Sequence, residues 1–236
     1  MFDERFQRLK ILIGEENFSK LQNSIVAVFG VGGVGSFVVE ALARSGIGHL
    51  VLIDKDNIDV TNINRQIHAL TSTIGKSKVE VMRERIFEIN PAAKVDVLQK
   101  FYLPDENAEI FFAWNYDYVV DAIDTITAKI SLAVECSRRK INLISCMGAG
   151  NKLDPARFKV SDIFQTSVDP VAKVMRKKLK ELGIKNLKVV WSDEFPKNFE
   201  EKNIIGSSAF VPSTAGLILA AEVVKDLTKV VSENGR

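Results

Sequence analysis

The stretch "GVGGVGS", Gly30 to Ser36, constrains this chain most. Four glycines fall within six residues, directly after the apolar run "SIVAVF" and before "SFVVEALARSG". The apolar run reads as a buried parallel strand, Ile25 to Phe29. The following segment reads as a helix from Ser36 to Gly46, ended by its glycine. Gly30, Gly32 and Gly35 therefore fit G-x-G-x-x-G in the strand, turn, helix setting of a phosphate-binding turn. Glycine permits the tight bend and lets backbone N–H groups approach a phosphate, and the helix start adds a favourable dipole. Gly33 opens the turn further, and Ser36 offers a hydroxyl. The glycines alone do not separate a dinucleotide from ATP.

The rest of the chain alternates in the same way. Two helices broken at Gly14 precede the turn, and "HLVLID" is a second strand. A helix from about Ser77 to Asn90 leads to the strand "KVDVLQ", and "YDYVVDAID" holds a strand ending near Asp121. "TAKISLAVECSRRK" is a helix and "INLISCM" a fifth strand. Strands alternating with helices predict an α/β fold: a Rossmann-like, doubly wound, mostly parallel sheet with helices on both faces. "RFKVSDI" and "LKVVWS" add strands around the helix "DPVAKVMRKKLKELG", residues 193–207 read as a mobile loop, and "STAGLILAAEVVKDL" is a closing helix. We expect one domain over 1–236, with N-terminal helices to residue 23, a nucleotide-binding core over 24–147 and an extension of the sheet over 148–236.

Composition narrows the class without naming a partner. The 236 residues are 46% hydrophobic and 26% charged, with a net charge of +2, as in an ordinary globular protein. Two cysteines, Cys136 and Cys146, make neither a disulfide framework nor a C-x-x-C zinc site, and both read as small packing residues. The charged N-terminus lacks the apolar core of a signal peptide, and "AFVPSTAGLILAAEVV" is too short and interrupted to span a bilayer. A cytoplasmic protein with no membrane insertion is the expectation.

Residues after the turn bear on the ligand. Asp54 ends the second strand, where an acid accepts hydrogen bonds from ribose; this suits NAD, FAD and ATP equally. "TNINRQ" brings Asn62, Arg65 and Gln66 together, and "GKSK" brings Lys76 and Lys78 to a helix start. A triphosphate site needs cations, because charge builds on phosphorus and on departing pyrophosphate. The same cations also suit a plain solvated surface. "DAIDT" places Asp121 and Asp124 past the fourth strand, where a carboxylate near a polyphosphate holds magnesium, positions a substrate or accepts a hydrogen bond; Asp121 also suits a turn cap, and Asp124, further out at the carboxyl end of the sheet, is the better candidate for catalysis.

These motifs carry a resemblance. "ERFQR", "GVGGVGS", "LIDKDNIDVTNINRQ", "GKSK" and "DAIDT" together resemble the adenylating superfamily of ubiquitin-activating enzymes and the bacterial molybdopterin- and thiamine-biosynthesis adenylyltransferases. The resemblance implies that Gly32, Gly33 and Ser36 line an ATP site. It implies that Asp54 binds ribose, with Asp56 in the same nucleotide-binding set. Asn62, Arg65, Gln66 and Lys78 would contact phosphates, and Asp124 would organise Mg2+ and the reacting phosphate. Arg8 would reach into the neighbouring subunit's site, which requires a homodimer.

The departures are informative. The chain has no pair of C-x-x-C motifs, so no zinc is expected, and no cysteine in the loop over 193–213. "MGAGNKLDPARFKVSDIFQTSVDPVAKVMRKKLKELGI" and "GSSAFVPSTAGLILAAEVV" are similar to the bacterial tRNA threonylcarbamoyladenosine dehydratase branch. That branch implies adenylation of a threonyl carboxylate beside the anticodon, followed by ring closure. Lys173, Arg176, Lys177, Lys178, Lys180, Lys185 and Lys188 form a basic run opposed only by Glu181, and Arg157 and Lys159 lie just before it. Such a face can neutralise RNA phosphates; Lys173, Arg176, Lys177 and Lys180 are the candidate tRNA contacts. The alternative within the superfamily is adenylation of a small carrier protein ending in Gly-Gly, and a sulfur-transfer or carrier-protein partner stays open. A nicotinamide oxidoreductase is a third reading, although no tyrosine has a lysine four residues later. A binding scaffold without activity is a fourth.

Overall fold

The computed structural model describes residues 4–103, 108–197 and 205–229. Seven strands form one sheet: β1 (Ile25–Phe29), β2 (His49–Ile53), β3 (Lys94–Leu98), β4 (Tyr118–Asp121), β5 (Asn142–Cys146), β6 (Phe158–Asp162) and β7 (Lys188–Ser192). Their order is β3-β2-β1-β4-β5-β7-β6. Every pairing is parallel except β6 with β7. The expected doubly wound sheet and its C-terminal extension are both present.

Among the described residues, eight α-helices precede, connect or follow the strands: α1 (Gln7–Ile13), α2 (Glu15–Asn23), α3 (Gly35–Arg44), α4 (Lys78–Ile89), α5 (Ala108–Phe111), α6 (Ile126–Arg139), α7 (Pro170–Glu181) and α8 (Val211–Thr228). Strand β1 shows why both faces are covered. Val26 and Val28 pack with α3, α4 and α8, whereas Ala27 and Phe29 pack with α5 and α6. All four side chains are fully buried, which explains the unbroken apolar run in the sequence. A third cluster seats Ala172, Met175 and Leu179 of α7 against Val189 and Trp191 of β7. Asp169 caps α7 by accepting from the Ala172 N–H at 2.9 Å, and Pro170 opens the helix.

The register aligns one row at the carboxyl edge: Phe29 faces Ile53 and Asp121, and Asp121 faces Ser145. The chain leaves β1 towards β2 on one side, while β4 lies on the other. That reversal opens a crevice above the row, the usual ligand position in open α/β sheets. The expected loop over 193–207 has no helix or strand where it is described; residues 198–204 lie outside the described residues. Among the described residues, no helix is long and apolar enough to cross a membrane.

Candidate active site

The crevice holds a cavity of 480 Å³. Its floor is the glycine turn, and the turn's glycines divide by role. Gly30 has φ +86°, and a Cβ there would lie 2.6 Å from the Ala122 carbonyl oxygen. A Cβ at Gly35 would lie 1.8 Å from the Gly30 carbonyl oxygen. These two let β1, β4 and α3 close on one another. Gly32 and Gly33 instead face the cavity, and among the described residues nothing accepts from the N–H groups of Gly32, Gly33 or Val34. Free amides at a helix start suit an anionic ligand.

Asp54 holds this floor in shape. One carboxylate oxygen accepts from the Val31 N–H at 2.7 Å and the other from the Asp56 N–H at 2.9 Å. Lys78, the first residue of α4, puts its Nζ 3.0 Å from Asp56 Oδ2 and 4.0 Å from Asp54 Oδ1. Its side chain is buried, yet it lines the cavity. Arg65 lines the same wall, with Nη1 donating to the Thr61 carbonyl at 2.8 Å. Gln66 is buried, and its Oε1 has no hydrogen-bond partner. An orphaned buried acceptor costs stability unless a ligand group donates to it. Asn62 also lines the cavity, but its Oδ1 is taken by the Asp59 N–H at 3.1 Å, so it shapes the turn.

Asp121 and Asp124 have different surroundings. Asp121 is fully buried, accepts from the Ile123 N–H and pairs with Lys129 at 3.0 Å. Asp124 lies exposed at the cavity wall, where only the Thr125 hydroxyl donates to it among the described residues. A single free carboxylate fits magnesium, which binds through one or two carboxylates, waters and substrate phosphates. No group of three or more His, Cys, Asp or Glu among the described residues forms a site on its own, so such an ion would be shared with a nucleotide.

Several candidates sit elsewhere. Ser36 is fully buried outside the cavity, where its hydroxyl accepts from the Ile67 N–H at 3.4 Å; the helix turns it inward. Lys76 is exposed and Arg8 is exposed on α1, and neither lines the cavity of its own chain. On α7, Lys173, Lys177 and Lys180 are exposed, whereas the Arg176 guanidinium is spent on Thr166. Lys188 leaves the basic face altogether, pairing with Glu222 and Asp226 of α8. Arg157 and Lys159 are both engaged by Asp193. Cys146 lines the cavity, but burial pushes its thiol up to about 12; burial does the same to Cys136. A buried thiol with a raised pKa is the reverse of the accessible, electropositive setting that activates a cysteine.

Sequence reasoning missed Lys129 and the wall from Gly148 to Gly150, all of which line the cavity. Lys129 interrupts the apolar face that Ala128, Leu132 and Ala133 form on α6, and that interruption was the available signal. Lys152 was also missed. It is buried beneath the wall, donating to the Gly148 carbonyl at 2.7 Å and to Asp169 at 3.0 Å. The wall is thereby tied to the cap of α7, and Val171 of that helix lines the cavity too.

A switch-point crevice with free amides, cations and an exposed carboxylate defines an α/β protein built to handle nucleotide phosphates. The chain belongs to the ThiF family, whose model matches residues 6–235. It is 50% identical to the tRNA threonylcarbamoyladenosine dehydratase of Bacillus subtilis, over 95% of each chain. It is 36% identical to the Escherichia coli protein of the same name, covering 98% of this chain and 96% of that one. The structure of the E. coli dehydratase in complex with ATP matches with a TM-score of 0.90 at 38% identity, covering 98% of this chain and 97% of that one.

Proposed function

We propose that the protein is an ATP-dependent tRNA threonylcarbamoyladenosine dehydratase, working as one adenylating unit across its length. One observation carries the reading. The cavity is continuous from the free amides and cations around Gly32, Arg65 and Lys78 to Val171 on the cationic helix α7. The first end offers amides and cations to a triphosphate, and the second meets the helix that carries Lys173, Lys177 and Lys180. The relatives at 50% and 36% identity bear the same name, and one of them is known with ATP bound.

The chemistry follows from the leaving groups. A carboxylate expels oxide badly, whereas its acyl adenylate expels AMP well. The threonyl carboxylate attacks the α-phosphorus of ATP, and the bond to pyrophosphate breaks, giving an acyl adenylate. Lys78 and Arg65 stabilise the charge on the phosphates, and Asp124 is the carboxylate that would hold magnesium, which would supply further charge neutralisation there. The neighbouring carbamoyl group then closes onto the activated carbonyl and AMP leaves. The side chain has lost one water and become cyclic. Closure is intramolecular, so proximity supplies much of its rate. Lys173, Lys177 and Lys180 hold tRNA phosphates. Arg8 completes the partner's site in a homodimer, and the enzyme works in the cytoplasm.

The test is AMP release from ATP and magnesium in the presence of either modified tRNA or a carrier protein ending in Gly-Gly. Release that depends on the modified tRNA supports the proposal; release that depends on the carrier protein refutes it. Mixing Arg8→Ala with Asp124→Ala subunits should restore part of the activity, and no restoration removes the role of Arg8 across the dimer.

A further inference from the structure

Asn151 sits at φ +58°, in the left-handed region that asparagine tolerates better than most residues. Three hydrogen bonds converge on it. Its N–H donates to the Gly206 carbonyl at 2.8 Å, and its carbonyl accepts from the Lys197 N–H at 2.7 Å. Its side-chain Oδ1 accepts from the Gly206 N–H at 2.6 Å. One residue thus holds both flanks of the stretch between Lys197 and Gly206. A Cβ at Gly150 would lie 2.3 Å from Ile205 Cγ2, so the two segments are in direct contact.

The far side is fastened as well. The Ser207 carbonyl accepts from Asn64 Nδ2 at 3.1 Å, beside Arg65. Residues 205–207 therefore bridge the wall at Gly148–Gly150 and the phosphate wall, and Ile205 and Ser207 both line the cavity. The left-handed backbone at Asn151 aims its side chain at Gly206, and the Lys152–Asp169 pair fixes the position from which it reaches.

We propose that Asn151 is a positioning residue: by clamping Gly206 it sets the width of the cavity where the substrate carboxylate meets the nucleotide. The proposal rests on the reading of the cavity given above. Asn151 touches neither substrate; it acts through Ile205 and Ser207. Its loss should impair use of the tRNA while leaving the nucleotide end intact, because the glycine floor, Asp54 and Lys78 lie on other elements.

Two variants separate the side chain from the backbone. Asn151→Gly keeps the left-handed turn and both main-chain bonds but removes the acceptor. Losing that one hydrogen bond should lower kcat/KM for modified tRNA by about tenfold, with KM for ATP changed by less than about twofold. Asn151→Asp retains an acceptor at the same reach and should stay within about twofold of the parent on both substrates. Asn151→Gly at parental efficiency, an equal loss on ATP and tRNA, or Asn151→Asp as impaired as Asn151→Gly would each overturn the role. A parent enzyme that releases no AMP with modified tRNA sinks the functional reading instead. An active parent with an undamaged glycine variant removes only Asn151.

Discussion

The glycine turn and helix α7 both look chemically rich in the sequence, yet the fold uses their charges in opposite ways. Around the turn, charge is spent internally. Asp54 gives both oxygens to backbone amides, Lys78 rests against Asp56, and Asp121 is sealed against Lys129. On α7 only Lys178 meets an acid of its own helix, Glu181 at 3.0 Å. Lys173, Lys177 and Lys180 are exposed and form no ion pair among the described residues. The first arrangement preorganises a pocket, and the second leaves exposed cations, which suit a large polyanion. Availability of charge, rather than its density along the chain, is what differs between the two regions.

That contrast predicts a ranking of effects. The largest belong to the pocket. Lys78→Ala should cut AMP formation by about 10²–10³-fold, since it removes a preorganised charge from the developing phosphate charge. Circular dichroism should show the fold intact, and full activity would break the assignment. Next, Lys129→Met leaves the Asp121 carboxylate buried without its cation. Denaturant unfolding should show a loss of about 3–5 kcal/mol. A loss below about 1 kcal/mol would mean that the pair is not the internal brace described above.

The α7 lysines should behave in reverse. Replacing Lys173, Lys177 and Lys180 with alanine should move stability by no more than about 0.5 kcal/mol each. Binding of tRNA should weaken, most at low salt, with the slope of log K against log salt falling by roughly 0.7–0.9 per lost phosphate contact. An unchanged slope would show that the RNA lies elsewhere.

The smallest effect is a pH dependence under the turn. His68 is buried, its Nε2 is 2.8 Å from the Val31 carbonyl, and burial holds its pKa below the ordinary 6.5. Below pH 6.5 the unfolded chain takes up a proton that the folded imidazole refuses, so stability falls as pH drops from 6.5 towards the folded pKa. His68→Gln, which keeps a donor for Val31, should flatten that part of the urea-midpoint profile. An identical profile would contradict a buried neutral imidazole.

Much of the frame was readable because its signals are local. The apolar run over 25–29, the glycine stop after α3 and the alternation of strands and helices each depend on near neighbours in the chain. The shared position of Arg65, Gln66 and Lys78 on the cavity was readable for the same reason, since they are close together in sequence. Other features depend on partners far along the chain. Ser36 is turned inward onto Ile67, Arg176 is drawn to Thr166, and Lys188 is drawn to α8. The buried Lys152–Asp169 pair becomes apparent only when the wall and the α7 cap are brought together. Helix α5 escaped notice because it has only four residues. It forms where Phe111 packs against Phe29, a contact between distant parts of the chain.

In the proposed reaction, one cavity joins ATP to a carboxylate carried on tRNA. The most direct measurement is mass spectrometry of nucleosides from threonylcarbamoyladenosine-bearing tRNA after incubation with the protein, ATP and magnesium. The proposed reaction makes the modified adenosine lighter by the mass of one water, only with ATP, and not with Lys78→Ala. An unchanged nucleoside mass in the presence of active, ATP-consuming protein would contradict it.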